Sequence, residues 1–467
     1  MALTKTFHSP DQKGIFRMRA SHSLDRVGVT FDDDHAVADA GLFLTATTAQ
    51  HLGLEQILEG TIDLADRPGY FRPGRKAMTL IHSLVAGGDC IDDADVLRCG
   101  STADVLGHRV MAPSTLGTFL RSFTFGNVRQ LDRASELALT AAWAAGAGPG
   151  DAQLTIDIDS SICEVYGYQK QGAAYGYTHV LGYHPMLATR ADTGEVLHSR
   201  QRKGSANTAR GAQRFIRETI GRTRRAGATG PVVIRADSGY WSTKVIGACV
   251  DHDVAYSITV RQTPRVVRAE HRIDDTAWTL IRHPDPASLN PADHPGVDLD
   301  DIETGQEAWV AETTLDDRRL IVRRTRDGDT QPALFTAWRH HAFVTDREGT
   351  AIELDVDHCR HAVVELAIRD LKEGAGMCHF PSGDFSANGA WLVLATLAHN
   401  LLRWTANIGL DQPGPLVAKT FRRRYLHIPG RITRSARRHN LHLPTGWPWA
   451  TQWADALTRL RHISLTT

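Results

Sequence analysis

The stretch Val232-Val-Ile-Arg-Ala-Asp-Ser-Gly239 limits the choice of fold more than any other part of the chain. Val232, Val233 and Ile234 form a short apolar run of the kind that makes a buried strand. Asp237 ends the run, Ser238-Gly239 breaks it, and a helical pattern follows from Tyr240 to Val250. Strand, acid, turn and helix in that order put a carboxylate at the carboxyl end of a strand, where open α/β sheets build their sites. One such aspartate is equally a helix cap. The inference therefore depends on whether other acids converge on it.

The chain has 467 residues, enough for two to four structural units. Its 53 Lys and Arg equal its 53 Asp and Glu, which argues against a wholly basic nucleic-acid coat protein. The charge is unevenly spread, so local clusters matter more than the sum. Six cysteines without a CxxC pair fit a reduced, intracellular protein. The N-terminal residues lack a signal pattern, and no run of about 18 apolar residues exists. These features predict a soluble, cytoplasmic protein with no membrane partner.

Taken in order, residues 1–30 read as loose, with Val27–Phe31 a strand candidate. Helical spacing runs from Val37 to about Trp143, through Lys76–Ala86, Asp92–Arg98, Ser114–Phe125 and Val128–Ala145. The Asp92–Arg98 and Pro113–Arg121 segments resemble a helix-turn-helix, with Ser114 as a cap; an ordinary helical bundle is the favoured reading, and Arg121 toward DNA the minority one. Gly146-Ala-Gly-Pro-Gly150 is a linker, so 1–150 reads as a helical N-terminal DNA-binding domain. Leu154-Thr-Ile-Asp-Ile-Asp159 then alternates strictly, with Asp157 and Asp159 on one face. Gly167–Tyr183 reads as an exposed loop, and Met186–Thr189 and Val196–Ser199 as strands. Arg200–Arg225 carries nine Lys or Arg and one acid, Glu218. It is a solvated face or a phosphate contact. Val254–Val260 is a further strand. Residues 151–262 are the first part of a core, and 263–345 a β-rich insertion with strands at Trp278–Ile281, Ala308–Thr313, Arg319–Arg323 and Ala333–Trp338. Residues 346–410 return to the core. Residues 411–467 form a basic tail in which Lys419–Arg438 holds eight Lys or Arg and no acid.

The third acid sits in His358-Cys-Arg-His-Ala-Val-Val-Glu-Leu-Ala-Ile-Arg-Asp-Leu-Lys372. Helical spacing puts His358, His361, Glu365, Arg369 and Lys372 in one sector and the apolar residues opposite. A Glu365–Arg369 pair at i,i+4 is the bland explanation of that face. Acids on two strand ends and one helix suit divalent cations, because converging carboxylates repel one another unless neutralised. Mg²⁺ keeps open positions for water and phosphate oxygens. A pair of such ions serves phosphodiester chemistry, and the basic clusters point to nucleic acid. A zinc site from His358, His361, Cys378 and His379 lacks standard spacing. Ser238 lacks the context of a hydrolase nucleophile, no stretch ends as a phosphate loop does, and the tryptophans near the C-terminus read as packing residues. Trp309 is a weaker candidate for stacking on an unpaired base.

Leu84–Asp89, Ala112–Leu120, Ile156–Ser160, Gly172–Tyr177, Arg235–Gly239 and Glu365–Lys372 together resemble the DDE transposases of bacterial insertion sequences, in the group named for insertion sequence 1380, related to the insertion-sequence-4-like set. The resemblance implies an α/β fold: a ribonuclease H-like catalytic core with a β-rich insertion, preceded by an α-helical N-terminal domain. It implies Asp237 and Glu365 as the second and third acids. Asp159 is chosen as the first because a small hydroxyl residue follows it; Asp157 is the alternative. These acids are the expected catalytic residues and the ligands of two Mg²⁺, with Mn²⁺ able to substitute. Expected DNA contacts are His358, Arg360, His361, Arg369 and Lys372 on the last helix, where the two histidines depart from the pattern of the related set. Arg422, Arg423 and Arg424 are expected DNA contacts in the tail. The implied activity is cut-and-paste transposition on terminal inverted repeats and target DNA, by a homodimer in the synaptic complex, associated with the nucleoid. A nuclease without joining activity and a repressor retaining the fold are the alternatives.

Overall fold

The computed structural model describes residues 24–167, 169–176, 178–282, 307–325, 338–410, 414–436 and 438–464. Residues 1–23 of the expected loose N-terminus, Tyr177 of the Gly172–Tyr177 motif, 333–337 of the expected strand Ala333–Trp338, and the start of the tail at 411–413 lie outside the described residues. The chain divides into two compact units, one ending at Asp34 and one beginning at His35. In the first, Leu24–Arg26 is a single 3₁₀ turn. The expected strand at Val27–Phe31 does not form: the segment is exposed throughout and joins no ladder.

The second unit starts with β1 (Ala36–Val37) and helices α1 (Leu42–His51), α2 (Leu54–Thr61), α3 (Pro73–Ala86), α4 (Thr102–Leu106), α5 (Pro113–Arg121) and α6 (Phe125–Ala142). Asp92–Arg98 is a 3₁₀ helix. The helix-turn-helix reading fails here. α4 intervenes, and α5 buries Leu116, Phe119 and Leu120 inside the bundle. Ser114 does not cap α5, because Ala112 occupies that position and Pro113 opens the helix. Thr124 caps α6 instead, in a reciprocal capping box with Asn127.

After Gly146, whose φ of 103° ends the helical run, the chain forms β2 (Leu154–Ser160). The expected loop that follows contains β3 (Cys163–Glu164), β4 (Ala174–Tyr175) and β5 (Leu181–Tyr183), paired as a small antiparallel sheet. Next come β6 (Met186–Arg190), β7 (Val196–Arg200), α7 (Ala212–Ala226), β8 (Val232–Ala236), α8 (Thr243–Val250) and β9 (Ala255–Thr259). β2, β6 and β7 make an antiparallel meander, and β8 and β9 are added parallel to β2. All five residues of β8 are buried, as expected for a strand flanked by parallel neighbours.

The insertion is not a separate β body. α9 (Pro264–Glu270) leads into β10 (Thr279–Arg282), β11 (Glu307–Leu315), β12 (Arg318–Thr325) and β13 (Arg339–Thr345). β13 pairs with β9, so the order β10-β11-β12-β13-β9-β8-β2-β6-β7 is one continuous sheet. The expected helix over 358–372 is also broken. α10 (Ala351–Cys359) and α11 (Val363–Gly374) are separated by a 3₁₀ turn at Arg360–Ala362.

α12 (Phe385–Thr405) is apolar on all sides, and every residue from Ala387 to Thr405 is buried. A helix of that character lies inside a protein. α1, α3, α5 and α6 pack around it, so the N-terminal helices share a core with the end of the chain. The polar groups of α12 are all used. Arg403 reaches Asp370 at 2.6 Å. The Trp404 and Trp143 indoles donate to Glu195, which is fully buried. The Asn400 amide accepts from the Val196 N–H and donates to the Val196 carbonyl, both at 2.8 Å. α13 (Ala418–Phe421), a hairpin of β14 (Gly430–Ser435) and β15 (Arg438–His442), and α14 (Ala450–Arg461) complete the unit. No helix among the described residues is long and apolar enough to cross a membrane.

Replacing Asn400 with Leu leaves the Val196 N–H and carbonyl buried without partners, a loss of about 1–3 kcal/mol. Urea unfolding should show a lower midpoint with an unchanged m-value; an unchanged midpoint means water replaces the amide.

Candidate active site on three elements

The register of the central strands sets the site. Asp157 lies opposite Arg235, and Ile158 opposite Ala236, on the parallel strands β2 and β8. One residue further along each strand are Asp159 and Asp237. Neighbouring strands are about 4.8 Å apart, so these two acids are side by side at the carboxyl ends. One Asp159 oxygen accepts the Ser160 N–H at 2.6 Å. One Asp237 oxygen accepts the Gly239 N–H at 2.9 Å, closing the turn that begins α8's approach. Gly239 is required there. A Cβ would sit 2.6 Å from Thr208 and 3.0 Å from that same carboxylate oxygen.

Glu365 arrives from the first turn of α11, exposed, where the helix N-terminus favours a carboxylate. The expected Glu365–Arg369 ion pair is not formed among the described residues, so the helix face does not neutralise its own acid. The three carboxylates act on one another. Burial first, then Asp237 and Glu365, push the Asp159 carboxyl up to about 6. The only described set of three His, Cys, Asp or Glu side chains whose ligand atoms all lie within 4.8 Å of one another is Asp89, Cys90 and Asp93. At least one pair among the Asp159, Asp237 and Glu365 ligand atoms is therefore more than 4.8 Å apart. Three carboxylates offer oxygen donors alone, the ligand type of Mg²⁺ and Mn²⁺. A cation there would also relieve the repulsion that raises Asp159. The donor set fits a hard divalent ion on both counts. Asp89, Cys90 and Asp93 have a local role instead: one Asp93 oxygen accepts the N–H groups of both Asp89 and Cys90 and closes their turn.

Asp157 is placed differently from Asp159. It is 1% exposed, and Arg235 grips it through Nε at 2.8 Å and Nη2 at 2.9 Å. His361 Nδ1 adds a third contact at 2.9 Å. Burial would raise this carboxyl, but the hydrogen bonds from His361 and Arg235 outweigh it and hold the group below its usual range. Both oxygens of Asp157 are thus engaged. Arg235 was quoted in the sequence only as a flank of Asp237. Its β-strand position opposite Asp157 was the signal for its role.

The expected DNA contacts divide into two groups. His358 is turned inward: its ring stacks on Phe343 with centroids 4.0 Å apart, and its nitrogens meet Ser257 and Thr259 at 2.7 and 2.9 Å. His361 is committed to Asp157. Arg422 is buried and donates to the Val85 and Leu84 carbonyls at 2.7 Å. Arg424 lies with its guanidinium 5.6 Å over Trp449. Arg360, Arg369 and Arg423 are exposed. Lys372 is half-buried, and its ammonium donates to the Ile162 carbonyl at 3.2 Å. The zinc reading dissolves in the same way, since Cys378 meets Cys163 and His379 meets Asp89. Trp309 packs, with Trp278 and Trp338, around the Arg324 guanidinium.

The basic stretch 200–225 is largely neutralised. Arg214 pairs with Glu218, Arg217 with Asp251, Arg222 with Asp132 and Arg225 with Glu136. A cleft of about 640 Å³ opens among these residues. It lies away from the three acids, and its opposite charges already satisfy one another. That segment was read from a run of like charges, but partners for it come from α6 and from Asp251, distant in sequence.

A family model described as "Transposase DDE domain group 1" matches residues 20–465. No curated protein matches the chain. Among solved structures, the chain is similar to that titled "Cryo-EM structure of piggyBac transposase synaptic complex with hairpin DNA". The identity is 10% and the TM-score 0.42, over 83% of this chain and 79% of that one.

Two measurements probe the site's electrostatics. Arg235→Leu strands a buried carboxylate and should destabilise the protein by about 3–5 kcal/mol, read by denaturant unfolding; a loss under 1 kcal/mol removes the assigned role. Asp159 is protonated more readily in the folded chain, with a pKa of about 6 against the usual 3.8. Its stabilising contribution is therefore complete below about pH 4 and is lost as pH rises through 6. Metal-free Asp159→Asn should melt a few degrees above the parent at about pH 8, and the gap should close on acidification.

Proposed function

The chain belongs to the transposase DDE domain family, group 1, and we propose from that premise that it cuts and rejoins DNA at Asp159, Asp237 and Glu365. The observation that carries this reading is the delivery of Asp159 and Asp237 to the same end of two adjacent parallel strands, with Glu365 in the first turn of α11 and both acids acting on the Asp159 carboxyl. The order β7-β6-β2-β8-β9, an antiparallel meander followed by two parallel strands, supports a ribonuclease H-like core. Asp159 is the first acid in this reading, because Asp157 is held by Arg235 and His361.

The three carboxylates would hold a pair of Mg²⁺ or Mn²⁺. Such ions activate an attacking oxygen and offset charge on the leaving one. The chain's own residues do the positioning. The Ser160 amide fixes one oxygen of Asp159 and leaves the other for the ions. The Asp237 turn fixes the second acid in the same way. The first turn of α11 carries Glu365, which acts on the Asp159 carboxyl. Arg360, Arg369 and Lys372, along α11 and the turn before it, would meet the phosphate backbone of DNA brought to the three acids. Arg423 extends the cationic surface of the C-terminal segment. Such contacts add affinity without reading sequence. His358, His361 and Arg422 are omitted from this set because their polar atoms serve the fold.

The reaction is cut-and-paste transposition of a bacterial insertion sequence. Water cuts a strand at a terminal inverted repeat, and the freed 3′-hydroxyl attacks phosphodiesters, finally those of target DNA. Two ends require two copies of the chain.

Asp237→Asn and Glu365→Gln should each lower Mg²⁺-dependent cleavage of end-containing duplex DNA by at least about a thousandfold, with binding kept within a few fold. Cleavage at the parental rate in either variant would falsify the assignment. Pre-cut ends supplied with a target plasmid should yield joined products; cutting without joining leaves a nuclease.

A further inference from the structure

Cys163 and Cys378 are 215 residues apart in sequence, yet the Cys378 thiol donates to the Cys163 sulfur at 2.6 Å. Both are free thiols. Cys163 lies on β3 and is fully buried; Cys378 lies just beyond the end of α11 and is half-buried. We propose that this pair is an oxidation site, where a small hydroperoxide converts the two thiols to a disulfide that staples the end of α11 to β3.

The geometry is already close to what the bond requires. A disulfide holds its sulfurs about 2.05 Å apart, so a small shift of the sulfurs brings them to bonding distance. Access is divided between the two sulfurs. Cys378 is partly open to solvent, and Cys163 is fully buried. Reactivity is divided in the same sense. The hydrogen bond that the Cys163 thiol donates to Cys378 once Cys378 is ionised, and the nearby Lys372 ammonium, draw the Cys378 thiol below its usual range. Burial holds Cys163 well above it. Cys249 and Cys359 are pushed up by burial to about 12 and about 11, so neither competes as a thiolate.

In the first step the Cys378 thiolate attacks one oxygen of hydrogen peroxide. The O–O bond breaks, and after a proton is taken up water leaves and Cys378 becomes a sulfenic acid. In the second step the Cys163 sulfur attacks the Cys378 sulfur and gives up its proton. The S–O bond breaks, and a second water leaves. Two thiols and one peroxide thus give one disulfide and two waters. The product ties the helix that bears Glu365 to the small sheet that follows β2, beside the existing Lys372–Ile162 contact. This site stands whether or not the chain cleaves DNA.

The test uses the full chain, hydrogen peroxide, alkylation and peptide mass mapping without reduction. The peptides bearing Cys163 and Cys378 should be joined, two hydrogens lighter, and separated again by dithiothreitol. The oxidised chain should melt at least about 3 °C above the reduced one, since the bond closes a long loop. In Cys163→Ala the second step is lost, so dimedone should trap a sulfenic acid at Cys378 that the parent does not retain. Full alkylation of both thiols after peroxide, cross-links to other cysteines, or equal dimedone trapping in the parent and Cys163→Ala each overturn the proposal. The parent mapping decides even if Cys163→Ala fails to fold.

Discussion

The Asp157 carboxylate holds together the three elements on which everything else in the site depends. It is contacted by Arg235 across the strand pair and by His361 from the turn before α11. Each partner is close in sequence to an acid of the site. Asp157 is two residues before Asp159, Arg235 two before Asp237, and His361 four before Glu365. Strand side chains repeat every two residues, and helix positions about every four. Fixing the three inner residues therefore sets the three outer ones just beyond them. A buried, fully hydrogen-bonded ion pair adds little net stability, but here it specifies the relative positions of β2, β8 and α11.

Two aspartates on one face of one strand are shifted in opposite directions. Asp157 has a guanidinium and an imidazole and stays ionised despite complete burial. Asp159 has a single amide donor and faces other carboxylates, so its ionised form is disfavoured. The inner position specifies the arrangement of the elements, and the outer one costs stability when ionised. An acid so placed is costly to keep unless a cation offsets it.

Much of this was legible in the residues, and the failures have identifiable causes. The alternation of Leu154–Asp159 and the apolar run ending at Asp237 marked β2 and β8, because period and flanking turns are local signals. Long-range partners were not visible. Nothing near Arg214, Arg217 or Arg225 in a linear reading showed which acids would meet them, apart from Glu218. The helical spacing that grouped His358 with Glu365 assumed one unbroken helix. The 3₁₀ turn at Arg360–Ala362 rotates the two halves apart, and the fold uses that rotation to bury His358 against Phe343. β13 carries His340 and His341, so its pattern was too polar to read as a strand, though its last four residues are buried.

The Asn400 amide has a consequence for how copies of this chain can meet. β7 is the last strand of the nine, and a terminal strand offers its backbone to any extended segment that approaches. At Val196 both backbone groups are already taken by a side chain from the buried helix. Another strand cannot pair at Val196 unless that carboxamide is displaced.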